Sequence, residues 1–251
     1  MKILIIVLLA VGCSTTLGVA GGLLIRSRER KWNDIVLGFA AGVMLAAATA
    51  GLLAEAFSAG ARSTVLAVAG AFAGAMTISF LDRVVPHLHR IAGIDFEEHR
   101  ANGSISKSLL FIAALALHKI PEGLAVGVSF GTGNVGDILT VAGAITIQNV
   151  PESFVIVAPL SAAGVNRSRI IAISFAISAV SIISVLCGAL LVSAFAGAMP
   201  FLLASAGGAM LYVISDEMIP QTHANGFEKP TTFALIAGFL MVLAIQNLVS
   251  F

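Results

Sequence analysis

IIAISFAISAVSIISVLCGALLVSAFAGAMPFLLASAGGAMLYVIS, from Ile170 to Ser215, runs for 46 residues without an Asp, Glu, Lys or Arg. A helix rises about 1.5 Å per residue, so this stretch would make roughly 70 Å of helix, against a hydrocarbon core about 30 Å thick. One span cannot absorb it, and two can. Gly197-Ala198-Met199-Pro200 is the natural turn, because Gly and Pro punctuate helices. The same criterion, applied outward, finds further apolar runs on both sides. The spans are expected at about 3–25, 35–57, 63–81, 108–130, 138–160, 170–196, 200–215 and 230–250. None alternates apolar and polar residues, which excludes an outer-membrane β-barrel. The fold class is an all-α polytopic membrane protein of eight transmembrane helices, forming one domain over residues 1–251.

Composition agrees. Of 251 residues, 58% are hydrophobic and 11% charged, against about 25% charged in an ordinary soluble domain. Mean hydropathy is +1.02. A disordered chain and a soluble enzyme are both excluded, and the lipid bilayer is the chain's surroundings. A net charge of +1 implies no nucleic acid partner. The two cysteines, Cys13 and Cys187, lie far apart in apolar runs and make neither a metal motif nor a disulfide framework. Lys2 and the apolar residues up to Cys13 have the look of a signal peptide, but the run continues unbroken to Ile25, too long for one.

Eight spans divide the basic residues unevenly. Eleven of the 14 Lys and Arg fall on one side, Lys2 and Arg62 fall on the other, and Lys119 lies within a span. Cytoplasmic connections carry the excess of Lys and Arg. Both termini are therefore expected outside the cytoplasm, and Trp32 beside Lys31 suits an interfacial anchor. The longest connection, about 82–107, is then cytoplasmic. It carries His87, His89, His99, Asp95, Glu97 and Glu98, read either as a solvated loop or as a weak metal-capturing one. Short loops and compact size point to a prokaryotic plasma (inner) membrane.

The fourth and fifth spans break the apolar rule. Lys119, Glu122 and Glu152 lie within them, each costing about 2.5–3.5 kcal/mol at a helix centre. Such residues face the bundle interior and serve function by default. They also form a repeat. His118-Lys119-Ile120-Pro121-Glu122-Gly123 recurs 30 residues later as Gln148-Asn149-Val150-Pro151-Glu152-Ser153. Two copies in consecutive, antiparallel spans suggest an inverted repeat, and transporters place substrate sites at such midplane points.

The spacing supplies ligands. His118 and Glu122 are four apart and share a helix face, as do Gln148 and Glu152. Each Pro lacks an N–H and is expected to kink its helix, freeing the carbonyls of Leu117 and Ile147. Two carboxylates brought together repel unless a cation or proton lies between them. An imidazole, two carboxylates and an amide suit zinc, iron or manganese.

These residues carry a family resemblance. Leu117-His118-Lys119-Ile120-Pro121-Glu122-Gly123-Leu124-Ala125 resembles the signature of the ZIP (Zrt/Irt-like) divalent metal transporters, and Gln148-Asn149-Val150-Pro151-Glu152 resembles its partner motif. Ala41–Ala47 in the second span, and Gly208–Tyr212 with Asp216–Pro220 in the seventh, are also similar to the family. The resemblance implies transport of zinc, or of iron, manganese or cadmium, into the cytoplasm, with the metal as substrate and no cofactor. It implies a primary metal site of Met44, His118, Glu122, Gln148 and Glu152, with Met44 promoted only by its motif context. It further implies a homodimer, and helices 1, 4, 5 and 6 moving as a unit against 2, 3, 7 and 8. Asp82, His87, His89, Asp216, Glu217 and His223 are similar to residues at the family's cytoplasmic release site, and equally suit a solvated interface.

Three departures stand out. Lys119 replaces the usual Asn, Ser153 replaces a Gly, and the sixth span has no acid, only Ser178, Ser181 and Ser184 near its middle. Lys119 and Asn149 mark the place of a second metal in relatives that hold two. The expectation is that the Lys119 ammonium compensates Glu122 or Glu152 there, leaving one ion. The competing function is a metal-sensing or metal-binding membrane protein without translocation. An intramembrane hydrolase has nothing to carry it, since His-Glu-x-x-His and Gly-x-Ser-x-Gly are both absent, so the chain is not expected to be an enzyme.

Overall fold

A computed structural model describes residues 2–25, 30–58, 61–91, 103–162 and 164–249. Among these the chain is helical throughout, with no strand. Eight long helices follow one another: α1 (Lys2–Ile25), α2 (Arg30–Ala46, continuing as Ala47–Leu53 and Ala54–Ser58), α3 (Ala61–Ile91), α4 (Gly103–Ser129), α5 (Val135–Ala162), α6 (Arg167–Ala194), α7 (Met199–Val213, continuing as Ile214–Met218 and Ile219–His223) and α8 (Glu228–Val249). Among the described residues, α1, α2, α3, α5, α6, α7 and α8 each contain a segment long and apolar enough to cross a membrane. The 27 residues of α4 span about 40 Å at the usual rise, and α4 carries Lys119 and Glu122. The chain is an integral membrane protein.

The long charge-free run divides where Gly and Pro predict. A short 3₁₀ turn, Ala196–Ala198, separates α6 from α7, and Pro200 sits in the first turn of α7, where its missing N–H costs nothing. Other ends extend beyond the charge-free limits. α3 continues to Ile91, α4 begins at Gly103, and α7 runs through Asp216 and Glu217 to His223 instead of ending at Ser215. The expected connection 82–107 is shortened accordingly, and residues 92–102, including His99, lie outside the described ones. A charge ends the hydrocarbon-compatible stretch without ending the helix, because a solvated helix end tolerates it.

Two helices depart from regular α geometry. Ala47–Leu53 in α2 and Ile214–Met218 in α7 are π-helical turns. Such bulges admit an extra residue and occur often at functional sites. In α7 the bulge precedes Pro220, which cannot donate to the carbonyl four residues back. α4 and α5 are continuous through Pro121 and Pro151.

The helices pair closely in a definite pattern: α3 with α7, α2 with α8, α4 with α6, and α1 with both α5 and α6. Small residues permit this. A Cβ on Gly74 would strike the Ser205 backbone, and one on Gly208 the Ala71 backbone, so α3 and α7 approach until main chains touch. Along their apolar windows α2 and α5 are each 61% buried, while α8 at 17% faces mostly outward. Exposed Phe72, Met76, Phe80, Phe175, Leu190 and Phe233 lie on the outward faces, as a lipid-facing surface requires. Cys13 and Cys187 are free and exposed.

Candidate metal site

α4 and α5 are neighbours joined by a tight turn, Phe130–Asn134, which Gly133 makes possible by taking a φ of 69°. This hairpin brings the two motif copies side by side. Lys119 is 0% exposed, and its Nζ donates to Glu122 Oε2 at 2.7 Å, to Glu152 Oε2 at 2.5 Å and to Asn149 Oδ1 at 2.8 Å. An ammonium has three N–H donors, and each has an acceptor here. Asn149 in turn donates from Nδ2 to Ser14 Oγ at 3.1 Å, and Ser14 donates to the Val11 carbonyl at 2.8 Å. The network therefore ties α1, α4 and α5 together. It links equivalent positions of the repeat, Lys119 to Asn149, and Lys119 in turn holds the acid pair Glu122 and Glu152.

Gln148 lies in the next position along α5, wholly buried, and neither its Oε1 nor its Nε2 has a hydrogen-bond partner. An unsatisfied buried polar group costs about 1–3 kcal/mol. Met44, also 0% exposed, belongs to the buried cluster that includes Ala125 of α4 and Ala144 and Ile145 of α5. His118 points another way. Its Nε2 donates to Glu217 Oε2 at 2.6 Å, on the π turn of α7. Among the described residues no three His, Cys, Asp or Glu side chains form a cluster by themselves; Lys119 lies between the two acids, and His118 is turned to Glu217.

The residues expected at a release site separate. Glu217 meets His118. Asp216, its neighbour, is exposed. His223 Nδ1 donates to the Ile219 carbonyl at 2.8 Å, inside the turn between α7 and α8. Asp82, His87 and His89 lie in the last turns of α3, and their side chains fall outside the described residues. Sequence reasoning missed Ser14 as a participant, and missed the contact that Glu217, expected at a release site, makes with His118. Ser14 had a signal, being the first of three hydroxyl residues, Ser14-Thr15-Thr16, within an apolar run. The Glu217 contact had only Pro220 as a sign that α7 would bulge.

Packing explains two departures in the motifs. Ser153 fits because the small residue is on the facing helix instead: a Cβ on Gly18 of α1 would meet Ser153 Cβ at 2.8 Å and strike the Val150 carbonyl. α6 lies so close to α4 that a Cβ on Gly123 would meet Ser184 Cβ at 2.5 Å and the Ser181 carbonyl at 2.7 Å. Serines, with their short side chains, allow this approach.

Comparison with known proteins gives the family. Residues 89–246 match the family model described as "ZIP Zinc transporter". The chain belongs to the ZIP family. Zinc transporter ZIPB of Bordetella bronchiseptica is 34% identical over 241 residues, covering 93% of this chain and 77% of that protein. Zinc transporter GufA of Myxococcus xanthus is 35% identical over 189 residues, covering 74% and 72%. Zinc transporter ZupT of Corynebacterium aurimucosum is 32% identical over 249 residues, covering 94% and 92%. The ZIP match takes in both Pro-Glu motifs and helices α4 to α7 in full.

Proposed function

We propose that this ZIP chain carries a divalent metal ion, zinc foremost, across the membrane into the cytoplasm, with Met44, His118, Glu122, Gln148 and Glu152 as its transient ligands. Gln148 carries the reading. A primary amide buried without a partner, four residues from Glu152 on the same face of α5, is an acceptor waiting for a ligand that the protein itself does not supply. Lys119 engages Oε2 of each glutamate, so the second oxygen of each carboxylate remains for the ion. Pro121 and Pro151 leave the Leu117 and Ile147 carbonyls without their i+4 donors, as further oxygens near the site. The names of the similar proteins favour zinc, and iron, manganese and cadmium suit the same donors.

The ion enters from outside, sheds water and binds at the two motifs, drawing His118 away from Glu217. Glu217 then faces the cytoplasmic end of α7 as an acceptor for release, with Asp216 and His223 beyond it. Helix pairing supports a division into two bodies: α1, α4, α5 and α6 pack chiefly with one another, as do α2, α3, α7 and α8. It also supports the inverted repeat. Exchanging α1 with α6, α2 with α7, α3 with α8 and α4 with α5 converts α2–α8 packing into α3–α7 packing, and α1–α5 into α4–α6. The two π turns, in α2 and α7, exchange likewise. The charge asymmetry favours both termini outside the cytoplasm, and the short loops favour a prokaryotic inner membrane.

Zinc uptake into proteoliposomes holding a trapped fluorescent chelator tests the proposal. Saturable uptake that Glu122→Ala abolishes is the expected result. Metal bound by the wild type with no uptake would instead favour a sensor that binds without translocating.

A further inference from the structure

We infer that Lys119 is a resident cation that occupies the second-ion position of the site and limits it to a single transported ion. The inference rests on the metal-site reading above and deepens it. Two-metal sites hold their ions about 3.5–4 Å apart, bridged by shared carboxylates. Here the bridging position between Glu122 and Glu152 is filled from within the chain. The ammonium lies 2.7 Å from one carboxylate and 2.5 Å from the other, and the Asn149 carbonyl oxygen closes its shell at 2.8 Å.

Three features make this a built position and not a side chain that happens to fall there. All three donors of the ammonium are used, and the side chain is wholly buried. Asn149 is held by Ser14 of α1, whose own hydroxyl is anchored on the Val11 carbonyl, so the oxygen facing Lys119 is oriented from a third helix. α6 packs on Gly123, next to Glu122, and its described residues bury Ser178, Ser181 and Ser184 but no carboxylate. An ion at this position would have Glu122, Glu152 and Asn149 as its ligands, the same three groups that bind the ammonium. A second divalent ion would have to displace Lys119 from both acids, and would then lie beside its positive charge in a site shielded from solvent. The first ion has donors that the ammonium does not bind, namely Gln148 and the second oxygen of each carboxylate.

Manganese binding to the purified full-length protein in lipid nanodiscs tests this, with metal content and electron paramagnetic resonance read on the same samples. The wild type is expected to show an isolated Mn(II) spectrum that Glu122→Ala removes. Lys119→Asn is expected to bind a further ion per chain and to show the exchange-coupled spectrum of two adjacent ions. A coupled pair in the wild type overturns the inference and leaves the metal site standing. A Lys119→Asn protein that binds metal and stays uncoupled overturns it too. No metal bound by the wild type, Mn(II) or zinc, overturns the site itself and the inference with it. If the variant does not fold, the wild-type spectrum decides alone, coupled against uncoupled.

Discussion

At Gln148 two polar side-chain atoms are buried without hydrogen-bond partners. Fold stability alone does not favour such a residue. Gln148→Leu is therefore expected to raise the metal-free melting temperature, since relief of an unsatisfied group is worth about 1–3 kcal/mol. The same change is expected to abolish zinc uptake. Thermal unfolding followed by size-exclusion chromatography, set beside proteoliposome uptake, checks both; a variant that melts earlier than the wild type would mean that the amide has a structural partner. Lys119 gives the opposite sign. Removing one member of a buried ion pair costs about 3–5 kcal/mol, because the remaining charge is left uncompensated. Lys119→Met is expected to lower the metal-free melting temperature, and added zinc to recover more of it than in the wild type. At this scale the chemistry was legible. The 30-residue offset of the two motifs announced that Glu122 and Glu152 would meet. It left open whether Lys119 compensates one acid or both, because a side chain's reach across a hairpin depends on how the helices are rotated.

Helix α7 shows what the element scale adds. Reading charges ends it at Ser215, yet the helix continues through a π turn that carries Glu217 to within 2.6 Å of His118. The bulge changes which face each later residue presents, and a hydropathy window has no term for that. Close packing of α3 against α7 depends on residues without side chains. Gly208→Val would drive a branched side chain into the Ala71 backbone, which has no rotamer to yield. Overpacking of a well-filled contact costs about 1–3 kcal/mol or more, so this variant is expected to lose its monodisperse elution peak. Gly143→Ala is the control. A Cβ there meets nothing within 4 Å, and Ala is the better helix former by about 1 kcal/mol. Its elution and melting temperature are expected to equal or exceed those of the wild type. Equal behaviour of the two variants would show that the α3–α7 contact tolerates separation.

For the whole molecule, the two groups of helices make a mechanical prediction. A Cβ on Gly51 of α2 would lie 3.0 Å from Val141 Cγ2 of α5, across the boundary between the groups. One on Gly21 of α1 would lie 3.7 Å from Phe154 Cδ2 of α5, inside one group. Each distance runs to the tip of the facing side chain, so the two residues of each pair are in contact, within reach of oxidative cross-linking once both are cysteine. With Cys13 and Cys187 first replaced by Ser, oxidation of the Gly51→Cys, Val141→Cys protein is expected to stop uptake, and reduction to restore it. Oxidation of the Gly21→Cys, Phe154→Cys protein is expected to leave uptake intact. Uptake that survives the first cross-link would mean that the groups do not move against each other.

The sequence by itself determined the number of long helices, their membrane-spanning character, the family and the meeting of the two motifs. Each of these depends on local quantities: the length of a charge-free run, the cost of a charge within it, and a motif repeated at a fixed offset. Tertiary structure alone decided that Lys119 bridges both acids, that Ser14 orients Asn149, that Glu217 holds His118 and that Gln148 is left unpaired. These follow from helix rotation, from two π turns and from contacts between main chains at glycine. Such features arise when distant segments pack, and no stretch of sequence contains them.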